Sequence, residues 1–214
     1  MKTKKRFIFD MDGTLYETGS VNFIALNIRK NSNTFFMEKF GFSNQKAISE
    51  YERIKIKYNG EISIGVEKEY GINRHEYFNK VWNFQPSKYI QKDNSLKELF
   101  EKIKGKVAIL TTSPRVWAER VLNYLEILEF FKDSLFTGEP DVRKPDLKAF
   151  QQVIDYFKIL PNNIYFIGDQ EDMDIIPAKK LGMKTIIVGK ESKYADFQIN
   201  SIKELSKFLD GKLK

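Results

Sequence analysis

Residues 7–16 read FIFDMDGTLY, an apolar run that ends in two carboxylates one residue apart and then a glycine. The run at residues 7–9 predicts a strand whose following side chain, Asp10, reaches the carboxyl edge of a sheet, where open α/β folds place their ligands. Asp12 follows on a turn that Gly13 permits. Two acids this close repel each other, so the pattern indicates either a cation between them or a carboxyl group that keeps its proton.

Composition limits the class of protein and of metal site. With 214 residues and 42% hydrophobic content, the chain can bury a full core, as one domain or as one domain carrying an inserted second. It has no cysteine and a single histidine, His75, which excludes disulfides, thiol nucleophiles and zinc sites built from histidine and cysteine. Any metal ion must therefore be held by oxygen atoms.

The formal charge of +7 raises the question of a nucleic-acid partner. Basic residues are scattered among acids, as in EKEY and KELFEKIKGK, which disfavours direct nucleic-acid binding and suits a small anionic substrate. The basic residues 1–6 precede only a short apolar strand, so we expect neither a secretion signal nor a membrane span, and a cytoplasmic location. We expect a monomer or a homodimer.

From about residue 92 onward, short apolar runs alternate with amphipathic segments at helical spacing. The apolar runs are KVAILTTS, residues 135–137, NIYFIGD and KTIIVG. They lack the polar alternation of a half-exposed strand, which is typical of strands covered on both faces. The pattern therefore predicts an α/β fold with a Rossmann-like parallel sheet core and helices on both faces.

Residues 16–91 break this rhythm. Strand-like runs do not occur there, and the apolar positions repeat at helical spacing between glycine turns. We therefore predict two domains, a core formed by residues 1–15 and 92–214 and an inserted all-helical domain at residues 16–91. An insertion that directly follows the strand carrying Asp10 is placed to cover the ligand edge as a lid.

Polar residues follow the predicted strands and one loop before a helix. In chain order they are Asp10 and Asp12, Thr111 and Thr112, Lys144, and Asp169 and Asp174. The stretches DMDGTL, ILTT, RKPD and IGDQEDMD resemble, in order and spacing, the four motifs of the haloacid dehalogenase (HAD) superfamily, which consists largely of phosphatases. The resemblance spans nearly the whole chain. It implies a Rossmann-like core with a helical cap of the C1 type, Mg²⁺ as cofactor and a small phosphorylated metabolite as substrate.

The resemblance also implies roles for the first two acids. Asp10 attacks phosphorus in line and forms an aspartyl phosphate, a covalent route open to a carboxylate. Asp12 protonates the leaving oxygen and then, as a base, activates the water that hydrolyses the intermediate. This role requires a proton at the start of the cycle, which the neighbouring carboxylate favours. The family also uses the backbone oxygen at this position on the metal ion.

The third and fourth motifs imply the rest of the metal site. Asp169 supplies a second carboxylate to Mg²⁺, which prefers octahedral oxygen ligands and keeps several waters. Asp174 matches the family's supporting acid, which holds the metal shell or orients Lys144. Asp172 is near enough in sequence to trade places with Asp174. Lys144 neutralises the phosphate and the nucleophile together.

The second motif implies the phosphate contacts. The hydroxyl of Thr111 donates to a phosphoryl oxygen, and backbone amides around Thr112 add donors at the start of the following helix. Asparagine is common in the family at the position of Thr112, so this chain departs from the pattern there. If the residue at position 112 acts through its backbone, threonine in place of asparagine has little effect. If it acts through its side chain, the threonine weakens phosphate binding.

Several functions share these motifs. Dehalogenases of the superfamily lack the second acid, so Asp12 argues against carbon–halogen chemistry. A sugar-phosphate mutase, a phosphoglycolate-type phosphatase and a non-catalytic binding module stay open. The segment TTSPRVWAERVLNYLEI is similar to the pyrimidine 5'-nucleotidase-like branch, which implies a nucleoside monophosphate. Candidate contacts of its base are Tyr16, Arg53, Tyr58 and Asn59.

Overall fold

The computed structural model describes residues 5–18, 22–139 and 141–210. The two ends of the predicted core, at residues 1–4 and 211–214, lie outside the described residues. Internal contacts divide the chain into two units, of which one comprises Met1–Thr18 and Ile90–Lys214 and the other Gly19–Tyr89.

A six-stranded sheet forms the centre of the first unit. Its strands are β1 (Arg6–Phe9), β2 (Val107–Leu110), β3 (Leu135–Phe136), β4 (Ile164–Gly168), β5 (Lys184–Val188) and β6 (Phe197–Ile199). Their spatial order is β3-β2-β1-β4-β5-β6, and each neighbouring pair is parallel. The predicted α/β fold, a parallel sheet with helices on both sides, is confirmed. β2 and β4 are buried along their whole length, which explains why their sequences show no polar alternation.

The register of the sheet brings three strand ends to one edge. Phe9 of β1 lies opposite Ile109 of β2 and Ile167 of β4. The next residue, Asp10, donates its backbone N–H to the carbonyl oxygen of Ile167 at 2.8 Å. The strand order reverses at β1, and the crevice at such a reversal is where open parallel sheets bind ligands. Asp10 therefore stands at the most favourable position in the sheet for a functional group.

The described α-helices divide between the two units. In chain order they are α1 (Phe23–Phe40), α2 (Asn44–Lys57), α3 (Ile62–Tyr70), α4 (Arg74–Val81), α5 (Ser95–Lys102), α6 (Arg115–Tyr124), α7 (Leu147–Phe157), α8 (Ile176–Lys180) and α9 (Leu205–Leu209). Pro114 is the N-cap of α6, directly before its first residue. Among these helices, none is long and apolar enough to cross a membrane.

Helix α7 anchors the middle of the sheet. Its buried residues Phe150 and Val153 belong to one apolar cluster with Ile8 of β1 and Phe166 of β4. The rings of Phe150 and Phe166 lie 5.1 Å apart between centroids. Because these side chains hold β1 and β4 against a common support, the strand ends that follow have defined positions.

The second unit, Gly19–Tyr89, contains α1–α4. Ser32 of α1 and Tyr77 of α4 share a buried hydrogen bond of 2.7 Å. The sequence did not predict α3, because glycine, here Gly65 at its centre, weakens a helix by roughly 1 kcal/mol relative to alanine. The glycine has a packing role, since a Cβ there would lie 2.4 Å from the side chain of Ile54 in α2.

Candidate active site

Three carboxylates that are distant in sequence meet at the carboxyl edge of the sheet. Asp10 follows β1, Asp169 follows β4, and Asp174 lies in a π-helical turn, Glu171–Ile175, that precedes α8. One carboxylate oxygen from each acid lies within 4.8 Å of the other two. Asp10 and Asp174 are buried and Asp169 is half-buried. The fold thus places these acids close enough to share one ion.

Lys144 is buried beside two of these acids. Its Nζ lies 2.6 Å from Oδ1 of Asp10 and 2.6 Å from Oδ1 of Asp174. Burial works against the ammonium group, but the two carboxylates outweigh it and raise the pKa of Lys144. The lysine therefore remains charged. One positive charge faces three carboxylates, so the cluster lacks positive charge.

The pKa values of two of the acids are raised in this environment. Burial raises the pKa of Asp10 to about 8 even though Lys144 lowers it, and the charges of Asp174 and Asp12 add to the rise. Burial, followed by the charge of Asp174, raises the pKa of Asp169. A cation among these carboxylates would stabilise their ionised forms. The ionised form of Asp10 is the one that can act as a nucleophile.

The immediate surroundings of Asp169 fit a hard divalent cation. Its Oδ1 is buried and has no hydrogen-bond partner among the described residues. Gly13 lies beside it with φ +90°, and a Cβ at that position would be 2.6 Å from Oδ2 of Asp169. A buried oxygen without a donor is costly unless something else, such as a metal ion, satisfies it. Mg²⁺ takes oxygen ligands, so Asp10, Asp169 and Asp174 together are suited to hold it.

The π-helical turn decides which acid of the fourth motif enters the cluster. Oδ2 of Asp174 accepts the backbone N–H of Gln170 at 3.0 Å, which closes the turn around the carboxylate. Gly168 leaves room for it, since a Cβ there would lie 2.5 Å from Oδ2 of Asp174. Asp172 is exposed instead. The alternative in which Asp172 replaces Asp174 therefore has no geometric support.

Thr111 follows β2 at the same edge of the sheet and is buried. Its N–H donates to the carbonyl of Phe136 at 3.0 Å, and its Oγ1 accepts the N–H of Ser113 at 3.1 Å. A threonine hydroxyl that accepts one bond still has a proton to donate. Thr111 thus keeps the donor that phosphate binding requires, while Thr112 is exposed.

The loop that carries Thr112 packs tightly against the loop after β3. The N–H of Gly138 donates to the carbonyl of Ser113 at 2.9 Å. A Cβ on Gly138 would lie 1.8 Å from the backbone oxygen of Thr112, an atom that cannot swing aside as a side chain can. Any side chain at position 138 must therefore push the two loops apart.

We expect Gly138→Ala to lower the free energy of unfolding by roughly 1–3 kcal/mol, as overpacking does, and to raise the KM for a phosphate ester by displacing this loop. Denaturant titration and steady-state kinetics measure the two effects. Gly105→Ala is the control, because Gly105 has open space around its Cβ position, although its φ of +71° strains alanine. A KM that rises equally in both variants would contradict the prediction.

Asp12 lies outside the three-carboxylate cluster and is held by three donors. Its Oδ2 accepts the hydroxyl of Ser113 at 2.6 Å, and its Oδ1 accepts the indole N–H of Trp117 at 3.0 Å. The hydroxyl of Tyr16 also donates to Oδ1. Sequence reasoning missed Ser113 and Trp117 and treated Tyr16 as a contact for a substrate base. The available signal was their place in the sequence, since Ser113 and Trp117 directly follow the second motif, just before and within the first turn of α6.

Known proteins share this sequence pattern and this fold. A sequence model of the haloacid dehalogenase-like hydrolases matches residues 4–182. The glyceraldehyde 3-phosphate phosphatase of Methanocaldococcus jannaschii is 33% identical over 107 residues, which are 47% of this chain and 47% of that protein. The chain therefore aligns with 28–47% of the length of the curated relatives that it matches.

Solved structures resemble the chain over nearly its whole length. A HAD phosphatase from Thermococcus onnurineus has a TM-score of 0.66 at 21% identity, with 98% of this chain and 100% of that one covered. A 2-haloacid dehalogenase from Pseudomonas syringae pv. Tomato has a TM-score of 0.66 at 15% identity, with 97% and 98% covered. Identities this low establish the fold alone. The family match over most of the sequence goes further, and the chain belongs to the haloacid dehalogenase-like hydrolases.

Proposed function

We propose that this protein is a Mg²⁺-dependent phosphatase that hydrolyses a small phosphate monoester through an aspartyl phosphate on Asp10. The observation that carries the proposal is the convergence of Asp10, Asp169 and Asp174 around Lys144 at the carboxyl edge of the sheet. Phosphate monoesters hydrolyse extremely slowly in water, and enzymes accelerate the reaction by up to ~10²¹-fold. Most of this acceleration must come from positioning the reactants and from stabilising charge in the transition state. This cluster offers both.

In the first half of the reaction, a carboxylate oxygen of Asp10 attacks phosphorus while the bond from phosphorus to the leaving oxygen breaks. The nucleophile is oriented at both oxygens, since Lys144 binds Oδ1 at 2.6 Å and the hydroxyl of Thr14 donates to Oδ2 at 3.3 Å. Asp12 gives its proton to the leaving oxygen. Thr111 and the amides around Thr112 hold the phosphoryl oxygens.

In the second half, Asp12 takes a proton from a water molecule, and the oxygen of that water attacks phosphorus. The bond between phosphorus and Asp10 breaks, which releases inorganic phosphate and restores the carboxylate. Asp12 is then protonated again, so the two half-reactions return the enzyme to its starting state. Lys144 stays charged throughout, because Asp10 and Asp174 raise its pKa.

Asp10, Asp169 and Asp174, with the backbone oxygen of Asp12, are the proposed ligands of Mg²⁺. When bound, the ion supplies positive charge to a phosphoryl group that carries negative charge on its oxygens. The unpartnered Oδ1 of Asp169 and the excess of carboxylates over ammonium groups support this assignment.

For the substrate, the curated relatives support a triose phosphate, since the matched protein from Methanocaldococcus jannaschii is named a glyceraldehyde 3-phosphate phosphatase. We propose that the helical insertion, residues 16–91, acts as the family's cap and selects the substrate. A nucleoside monophosphate is the alternative. Two of its candidate contacts have other partners in the structure, because Arg53 pairs with Glu50 and Glu69 and the hydroxyl of Tyr16 binds Asp12.

A substrate panel tests the proposed reaction. Glyceraldehyde 3-phosphate, phosphoglycolate, a hexose phosphate and nucleoside monophosphates are incubated with the protein and Mg²⁺, and inorganic phosphate is measured. We expect the highest kcat/KM with the triose phosphate. Transfer of phosphate between sugar positions without release would indicate a mutase, and a lack of turnover on every ester would indicate a binding module.

Metal removal gives a separate prediction. Chelation is expected to abolish phosphate release from p-nitrophenyl phosphate, and added Mg²⁺ is expected to restore it. Mg²⁺ at about 100 times its dissociation constant should also stabilise the fold by roughly 2.7 kcal/mol, which a rise in Tm reports. Asp169→Asn should lose both effects, whereas Asp172→Asn, at an exposed acid three residues away, should keep them. Turnover that persists in the chelated protein would contradict the prediction.

A further inference from the structure

We propose that Trp117 and Tyr16 are positioning residues that hold Oδ1 of Asp12 as a hydrogen-bond acceptor, so that the proton exchanged during catalysis is carried on Oδ2. The inference rests on the proposed role of Asp12 as acid and base. It specifies which of the two carboxylate oxygens of Asp12 carries the proton, and which side chains determine this.

The two carboxylate oxygens of Asp12 have different hydrogen-bond partners. The indole N–H of Trp117 and the hydroxyl of Tyr16 converge on Oδ1, whereas Ser113 alone contacts Oδ2. Trp117 is 0% exposed, Ser113 4% and Tyr16 7%, while Asp12 itself is partly open. Because these donors are shielded from solvent, water competes poorly for them. The carboxylate is therefore held from its buried side.

These partners favour the proton on one oxygen over the other. An indole N–H can only donate, and the carbonyl oxygen of a protonated carboxyl group is a better acceptor than its hydroxyl oxygen. The hydroxyl of Tyr16 donates to the same oxygen. The oxygen that receives more donors is the poorer site for a proton, so Oδ1 stays the acceptor in both protonation states of Asp12 and Oδ2 carries the proton. The hydroxyl of Ser113 suits both states of Oδ2, because it can donate to the ionised oxygen and accept from the protonated one.

The backbone sets the positions of these donors. The N–H of Trp117 donates to the carbonyl of Pro114 at 3.0 Å, so the tryptophan lies in the first turn of α6. Ser113 stands four residues earlier, directly after the phosphate-binding loop. Tyr16 stands four residues after Asp12 and forms an isolated parallel bridge with it. The donors thus stand on two backbone segments that flank the site, the turn after Asp12 and the start of α6.

Leaving groups of different basicity separate this role from a structural one. An alkoxide leaving group needs a proton as it departs, whereas p-nitrophenolate leaves without one. The value of kcat/KM covers steps up to the loss of the leaving group, so it reports proton donation by Asp12 and excludes the later hydrolysis. General acid catalysis typically raises the reaction rate by 10²–10⁴-fold, so a variant in which the proton is misplaced loses part of this acceleration.

We expect Trp117→Phe to lower kcat/KM for glyceraldehyde 3-phosphate by about 10- to 100-fold and for p-nitrophenyl phosphate by less than about threefold. Tyr16→Phe, which removes only a hydroxyl, should show the same selectivity with a smaller loss. Trp82→Phe, the same exchange at the other of the two tryptophans, should show no selectivity. Thermal unfolding of each variant checks that the fold persists, and Tyr16→Phe serves as the test if Trp117→Phe does not fold.

The hydrogen bond has its own readout, which needs no turnover. With two tryptophans, the ¹H–¹⁵N spectrum contains two indole signals, and Trp82→Phe identifies that of Trp117. Asp12→Ala should shift this signal and speed its hydrogen exchange. An unshifted signal would overturn the proposed contact.

The outcomes distinguish the two proposals. Equal losses on both esters in an active enzyme would overturn the positioning role and leave the phosphatase assignment intact. A wild-type protein without turnover on p-nitrophenyl phosphate and on every ester of the panel would overturn the phosphatase assignment, and the role of Asp12 with it. Selective loss on the alkyl ester, together with a shifted indole signal, would support the proposal.

Discussion

Replacing Asp10 by asparagine is expected to lower the rate of phosphate release by about 10⁴- to 10⁶-fold, as removal of a covalent nucleophile does in other enzymes. The amide has the shape of the carboxylate but lacks the charge needed to attack phosphorus, so the aspartyl phosphate cannot form. The fold should persist, because the exchange removes one negative charge from a cluster in which three carboxylates face one ammonium group. Initial-rate measurements with Mg²⁺ and the best ester of the panel give the size of the effect.

Two measurements make the Asp10 result interpretable. Asp155→Asn, at an exposed position of α7, is the matched control and should have wild-type kinetics. The variant is checked by mass spectrometry, because deamidation of the new asparagine would restore the nucleophile. Turnover within tenfold of wild type in verified Asp10→Asn would show that Asp10 does not attack phosphorus.

Lys144→Met is expected to reduce both turnover and stability. The lysine contacts two buried carboxylates at 2.6 Å, and its loss leaves them facing each other without compensation. Removal of one member of a buried ion pair typically lowers the free energy of unfolding by roughly 3–5 kcal/mol. Loss of a preorganised donor to the reacting group lowers kcat by about 10²- to 10³-fold. Chemical denaturation and steady-state kinetics measure the two losses.

A second substitution tests the cause of the Lys144 effect. If like-charge repulsion destabilises Lys144→Met, then Asp174→Asn in the same chain should recover part of the lost stability without recovering activity, a coupling that a double-mutant cycle measures. Lys148→Met, at an exposed lysine in the next helix, is the control for the exchange itself. Additive losses from the two substitutions would show that the charges of Lys144 and Asp174 are not coupled.

The fold was predictable because its signals are local. The apolar runs at β1, β2, β4 and β5 lack polar alternation, and each ends at a polar residue or a glycine. The missed elements had weak local signals. β6 is only three residues long and depends on its pairing with β5, and α3 has a glycine at its centre that only its packing against α2 explains.

The candidate acids were predictable for a related reason. Asp10 and Asp169 directly follow strands, and parallel strands bring their carboxyl ends to one edge whatever the length of the chain between them. Their convergence within 4.8 Å follows from that topology. The roles assigned to them remain predictions, which the substitutions above test.

The sequence by itself determined the class of fold, the family and the places of Asp10 and Asp169 at the sheet edge, because strand patterns and motif spacing are properties of neighbouring residues. Only the tertiary structure decided that Asp174 and not Asp172 joins the cluster, and that Asp12 is held by Ser113 and Trp117. The physical reason is that these contacts join residues that are far apart in the sequence. Ser113 and Trp117 lie 101 and 105 residues from Asp12 along the chain, and a hydrogen bond depends on the distance and angle between atoms, which the packing of the whole unit sets.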